Sequence, residues 1–350
     1  MRARQRLAIS LILGLAGLPM ATMARDKAAP PPAATRAQAL VGFQRDLVSV
    51  LAPRADAMPL LGAALLARPL PNQPSSTNFH ALITRAARAD DASPAAQWAR
   101  LTDCDAAART CPNADALAAL TAEAGDNAAV WLLKLGQDSA NERSDDARED
   151  LRRAAGAKLY DDYTGTALQA LATTVGTLPP PPAAIDPGSA AGAWGVQVVM
   201  VFGVSGLLPA PQPGMQATAR LCENGKDDPA IRQSCLQLAH LLEWGSSPLA
   251  RSLGLHLRET LSDDPEAQAA ARAEMTNLAW EVRNFAALSA RAAGDKALAQ
   301  HLLALARNGG TEMSLMLAAL RDEGIPLDAP GASEAAAISP AAAAASTVTP

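Results

Sequence analysis

The sequence predicts an all-α protein, an array of antiparallel helix hairpins arranged as an α-solenoid-like stack or an irregular helical bundle. Three observations predict it. Alanine and leucine dominate, and both stand high on the helix-propensity scale. Aromatic residues make up only 3 % of the 350-residue chain, and β-branched runs are scarce outside residues 196–204, so the residue types that strands favour are few. Apolar residues recur at helical spacing behind acid, serine, asparagine or proline starts.

The first 24 residues have the form of a secretory signal peptide. Arg2, Arg4 and Arg6 supply the positive start, the stretch from Leu7 to Leu18 is uncharged and apolar, and Thr22-Met23-Ala24 provides small residues at the cleavage positions. An apolar stretch of about a dozen residues is shorter than the ~20 that a membrane span needs. Without the three leader arginines, the 30 lysines and arginines become 27 against 35 acids, a formal charge of −8. That balance argues against nucleic acid as a partner, because phosphate binding needs clustered positive charge. It suits a cationic or peptide partner.

Residues 25–35 read as a Pro/Ala-rich extended leader. A first helix follows, with Leu40, Phe43, Leu47 and Leu51 on one face and Pro53 as its stop. A short apolar helix spans residues 58–66. Ser75 or Ser76 is expected to cap the helix holding Phe79, Leu82 and Ile83. Ser93-Pro94 opens the one with Trp98 and Leu101, and Asn113 opens the one with Leu117 and Leu120. Asp126 is expected to open residues 128–135, apolar on nearly every side and therefore buried between other helices. Four consecutive prolines, Pro179 to Pro182, place a subdomain boundary at residues 176–188, dividing an N-terminal helical subdomain (36–175) from a C-terminal one (189–325). Residues 190–208 carry no charge and admit two readings, a membrane span or a buried helix. Four glycines and the lack of flanking basic residues favour burial. Ile231, Cys235, Leu238 and Leu242 form one later face, Met275, Leu278, Val282 and Phe285 another, and Leu298, Leu302 and Leu305 a third. Gly309-Gly310 ends that helix, Thr311 caps the last, and residues 326–350 are Ala/Pro/Ser/Thr-rich and expected to be disordered.

Acidic starts recur: Asp91, Asp126, Asp162, Asp228, Asp264 and Asp295 are separated by 35, 36, 66, 36 and 31 residues. A spacing of about 34 residues is that of one helix hairpin per repeat. With Gly125-Asp126-Asn127-Ala128 and Gly294-Asp295-Lys296-Ala297, the chain resembles the exported Sel-one-like and tetratricopeptide-like helical repeat proteins of bacteria, over residues 93–140 and 264–322. The fixed Trp, Gly, Tyr and Pro positions of the full consensus are not met. The resemblance implies protein–protein contact through a concave surface and assigns no binding residue.

Motifs for chemistry are sparse. His80, His240, His256 and His301 form no His-Glu-x-x-His, and Cys235 with His240 and His256 lacks the Cys-x-x-Cys spacing of a zinc site. Gly203-Val204-Ser205-Gly206 breaks the spacing of a nucleophile elbow, and no phosphate loop occurs. The pairs Asp161-Asp162 and Asp263-Asp264 read as helix caps. No catalytic, metal or cofactor residue is assigned. Both tyrosines lie in Tyr160-Asp161-Asp162-Tyr163, either a contact patch or, as the sequence favours, a helix start whose rings staple onto a neighbour. The four cysteines allow three pairings, of which sequence proximity favours Cys104–Cys111 and Cys222–Cys235. The leading functional reading is a non-enzymatic envelope scaffold for a protein or peptide. The alternatives are an envelope enzyme without a local motif and a component tethered by residues 190–208.

Overall fold

The computed structural model describes residues 33–104, 112–207 and 214–330. The leader (1–24), Cys111 and the tail from residue 331 lie outside the described residues. Those described form 15 α-helices and one 3₁₀ turn (Pro182–Ala184), with no strand among them. The chain is all-α. The segment 196–204, the most strand-like by composition, is helical, because burial among other helices overrides a modest intrinsic preference.

The helices pack around two hydrophobic cores. The first gathers α1 (Ala33–Leu51), α2 (Ala57–Ala67), α3 (Phe79–Ala86), α8 (Thr164–Val175), α9 (Ala193–Leu207), α14 (Lys296–Asn308) and α15 (Glu312–Asp322) against α13 (Pro265–Ala292). The second gathers α5 (Ala114–Glu123), α6 (Ala128–Ala140), α7 (Ser144–Ala155), α10 (Met215–Asn224), α11 (Pro229–Leu242) and α12 (Pro248–Leu261). Two helices straddle the seam. The α4 helix (Pro94–Arg100) gives Ala95 and Ala96 to the first core and Trp98 to the second, while α12 gives Leu255 to the first and Leu253 and Leu257 to the second.

The proline segment does not divide the molecule where the sequence places a boundary. Each core draws helices from both sides of it. The apolar faces of α8 and α9 need the same cover, and Gln197 Nε2 donates to the Val175 carbonyl at 3.1 Å across the segment. In α9, Val198 and Val201 are buried in the first core, and no described helix is long and apolar enough to cross a membrane.

Several helix starts also differ from expectation. Asn78, not Ser75 or Ser76, caps α3 through the Ala81 amide at 2.9 Å. Asn127, not Asp126, caps α6 through the Ala129 amide at 3.0 Å, while the Asp126 carboxylate faces Lys158 at 3.6 Å. Asp91 caps no helix of its own. Its carboxylate accepts the Ala57 amide at 2.8 Å and so closes the start of α2 from a distance. Asp228, Asp264 and Asp295 cap α11, α13 and α14 as read, each cap worth about 1 kcal/mol. Residues 326–330 are held on α13, where Trp280 Nε1 donates to the Pro326 carbonyl at 2.9 Å and the Ala329 amide donates to Asn277 at 2.9 Å. Composition alone hides such contacts.

Candidate binding cleft between α12 and α13

The helices α11, α12 and α13 run as consecutive hairpins. Gly254 lets α12 press against α11: a side chain there would meet the Ala239 carbonyl at 2.7 Å and the Glu243 amide at 2.8 Å. On its other face α12 presents Arg251, Leu255 and Arg258, spaced i, i+4 and i+7, and α13 presents Glu274, Leu278 and Glu281 at the same spacing. In an antiparallel hairpin these stripes oppose each other with basic residues against acidic ones. Leu255 and Leu278 are both buried between them.

The stripes do not close. Together with Glu243 and Trp244, at the end of α11, they line a cleft of about 240 Å³. Glu243 Oε2 pairs with Arg258 Nη1 at 2.8 Å, yet Glu243 Oε1 and Arg258 Nε are buried without a partner. Glu281 is only 9 % exposed, and no hydrogen bond or ion pair reaches its carboxylate among the described residues. Arg251 donates from Nε to the Gly245 carbonyl at 3.4 Å and makes no ion pair among the described residues, which leaves its terminal nitrogens facing the cleft without a carboxylate. At the rim stands Trp244, 76 % exposed, the most exposed of the large apolar side chains.

Burial sets the electrostatics. It pushes the carboxyls of Glu281 and Glu243 above the usual range, with Arg251 and Arg258 respectively opposing the shift and Glu274 adding to it. Burial likewise lowers the Arg251 guanidinium, offset by Glu281 and Glu274. Partly desolvated charges of both signs thus line one cavity, and only Glu243 and Arg258 are paired across it, an arrangement that costs stability and that functional sites retain.

The residues singled out from sequence lie elsewhere. Tyr160 is buried in the second core and Tyr163 is half-buried, its ring 5.7 Å from that of Trp98, so the pair forms a staple rather than an exposed patch. Tyr163 also stands at φ 57°, a backbone position held because its hydroxyl receives a hydrogen bond from Asn127 at 3.2 Å. Cys222 and Cys235 form the expected disulfide between α10 and α11, with Cα atoms 5.8 Å apart. Cys104 is also disulfide-bonded, and the expected partner Cys111 lies outside the described residues. With Cys235 oxidised, the grouping with His240 and His256 has no thiolate to offer; His256 pairs instead with Glu223 at 2.8 Å. The Gly203–Gly206 segment is continuous helix.

The cleft residues carry no nucleophile, histidine or cysteine motif, so local sequence does not mark them. Their signal is the matched spacing Arg-x₃-Leu-x₂-Arg and Glu-x₃-Leu-x₂-Glu on consecutive helices. Comparison with protein-family models, with curated proteins and with solved structures finds no match for this chain.

Proposed function

We propose that this protein is an exported helical scaffold of the bacterial envelope that binds a protein or peptide partner through the cleft between α12 and α13. The observation that carries the reading is Glu281, a side chain only 9 % exposed whose carboxylate takes no hydrogen bond among the described residues, lining one cleft with Arg251 and the exposed Trp244. A hairpin selected only for stability would close such a pair or replace it with apolar residues. The position at the seam of two cores agrees with where ligand sites form. Export is supported by the Arg-rich start, the short apolar stretch and the oxidised cysteines. The resemblance to tetratricopeptide-like repeats supports a partner that is a polypeptide.

The test is affinity capture from periplasmic extract with the mature protein and with Trp244→Ala. A partner retained by the first and lost by the second is the expected result. Capture that is indifferent to Trp244, or no capture, overturns the reading.

A further inference from the structure

We propose that the cleft takes one basic side chain, lysine or arginine, from an extended segment of the partner, with its charge set against Glu281 and Glu274 and its stem laid along Trp244. This rests on the peptide-binding reading and adds what the cleft recognises.

The free bonding capacity defines the ligand. On the acceptor side stand the buried Oε1 of Glu243 and the carboxylate of Glu281, which takes no hydrogen bond among the described residues, with Glu274 exposed beside them. Three carboxylates face two guanidinium groups, so the empty lining carries one excess negative charge when all are ionised. A cation removes that excess and supplies the donors that Glu281 lacks. On the donor side, the ends of Arg251 and the buried Nε of Arg258 need acceptors. A bare inorganic cation would leave them unused, whereas the carbonyls flanking a basic residue in an extended peptide satisfy them.

Size and rim point the same way. At about 240 Å³ the cleft falls below the ~300–1,000 Å³ of sites that enclose whole small ligands, so it admits a side chain rather than a cofactor. Tryptophan is the strongest aromatic platform for a cation, and its ring covers the methylene stem of lysine or arginine equally well. The chain as a whole is acidic, at formal charge −5, which draws basic partners toward it. Glu281 is the deciding residue: its side chain is 9 % exposed and takes no hydrogen bond among the described residues, so a cationic donor from outside supplies a bond that only water can otherwise give.

The test is calorimetric titration of the intact mature protein with three blocked alanine pentapeptides, carrying lysine, norleucine or glutamate at the centre. The lysine peptide should bind at least about tenfold more tightly than the other two. Glu281→Gln should lose at least about tenfold in affinity while melting at or above the wild-type temperature, because it removes an unpaired buried charge. Trp244→Ala, at an exposed position, should weaken binding without moving the melting temperature. Equal binding of the norleucine peptide overturns the cation assignment and leaves peptide binding in place. Silence from all three peptides, with a Trp244-dependent partner still captured from extract, overturns the inference alone. Silence together with no such partner overturns both.

Discussion

Asp138 and Asp150 lie on the facing sides of α6 and α7 with side chains 1 % and 2 % exposed, and Lys134 Nζ reaches them at 2.9 and 3.1 Å. Arg143 pairs with Asp138 from the other side. Burial works against both acids. At Asp138 the bonds from Arg143 and Lys134 prevail and hold the carboxyl below its usual range, while at Asp150 burial prevails and lifts it to about 6. Removing the shared cation leaves Asp150 without a partner cation and Asp138 with Arg143 alone, so Lys134→Met should destabilise the protein. Loss of one partner of a fully buried pair costs ~3–5 kcal/mol. Lys134 is 34 % exposed, so about 2 kcal/mol is expected, measured by urea denaturation near neutral pH. The cleft offers a different case, in which Glu281 makes no ion pair with either of the two arginines beside it. The raised carboxyl of Glu281 must ionise to hold a basic side chain, so the affinity for the lysine peptide should climb with pH. Arg251, Glu274 and Asp328 are the charged groups acting on Glu281, and Glu243, itself facing Arg258 and His240, lines the same cleft. Calorimetry at about pH 5 and pH 8 checks the direction, which Glu281→Gln should flatten. Of these pairings only Lys134–Asp138, four residues apart on α6, was legible from local sequence; the rest wait on the helices meeting.

Between the two cores runs the strap of residues 160–163, joined to Ser246 and through it to the start of α15. The Ser246 amide donates to the Tyr160 carbonyl at 3.2 Å, and the Met313 amide donates to the Ser246 carbonyl at 3.0 Å. Beside this strap Glu312 is pushed up to about 7, first by burial and then by Asp162. A carboxyl raised on folding from its ordinary value adds stability in full at low pH and loses it as pH rises through about 7. The protein should therefore melt higher at about pH 5.5 than at pH 8, and Glu312→Gln should remove most of that difference. A melting temperature in the wild type that is level or rising over this interval would contradict it. The α10–α11 hairpin gives a second prediction. Its disulfide spans 13 residues, and a loop of about 15 is worth about 3 kcal/mol in the chain-entropy model. Cys222→Ser should lower the melting temperature and leave Cys235, fully buried, reactive to a thiol probe only after partial unfolding. This hairpin was readable because glycine, acidic caps and Pro229 mark its turn, and Cys235 shares a face with Ile231 and Leu238. The strap was not, because its bonds run to residues more than 80 positions away.

At the scale of the molecule, the helices that the sequence marked followed from short-range chemistry, in caps, prolines and 3.6-residue periods, while α7, α8 and α12 were not placed. The assignment of helices to cores did not. An apolar stripe states that a helix must be covered and leaves open by what, and the run of prolines from Pro179 to Pro182 reads as a boundary although α8 and α9 on its two sides share one core. The second core, built from residues 94–155 and 215–261, is instead set within the first, built mainly from residues 33–87, 164–207 and 265–322. Cutting at the proline segment should therefore leave no complete core on either side. A fragment ending at residue 180 keeps α1–α3 and α8 without α9, α13, α14 and α15, so Leu171 and Val175, both fully buried in the whole protein, would face water. It also keeps α6 and α7 without α10, α11 and α12, exposing Leu132 and Leu151. Such a fragment should show some helicity by far-ultraviolet circular dichroism, no cooperative melting, and rapid cleavage by a protease under conditions where the full chain resists. Co-expression with the complementary fragment, residues 181–330, should restore a cooperative transition, because both cores are then complete. Independent cooperative melting of the first fragment would show instead that the chain divides at the prolines and that the interleaving is a docking of two finished domains.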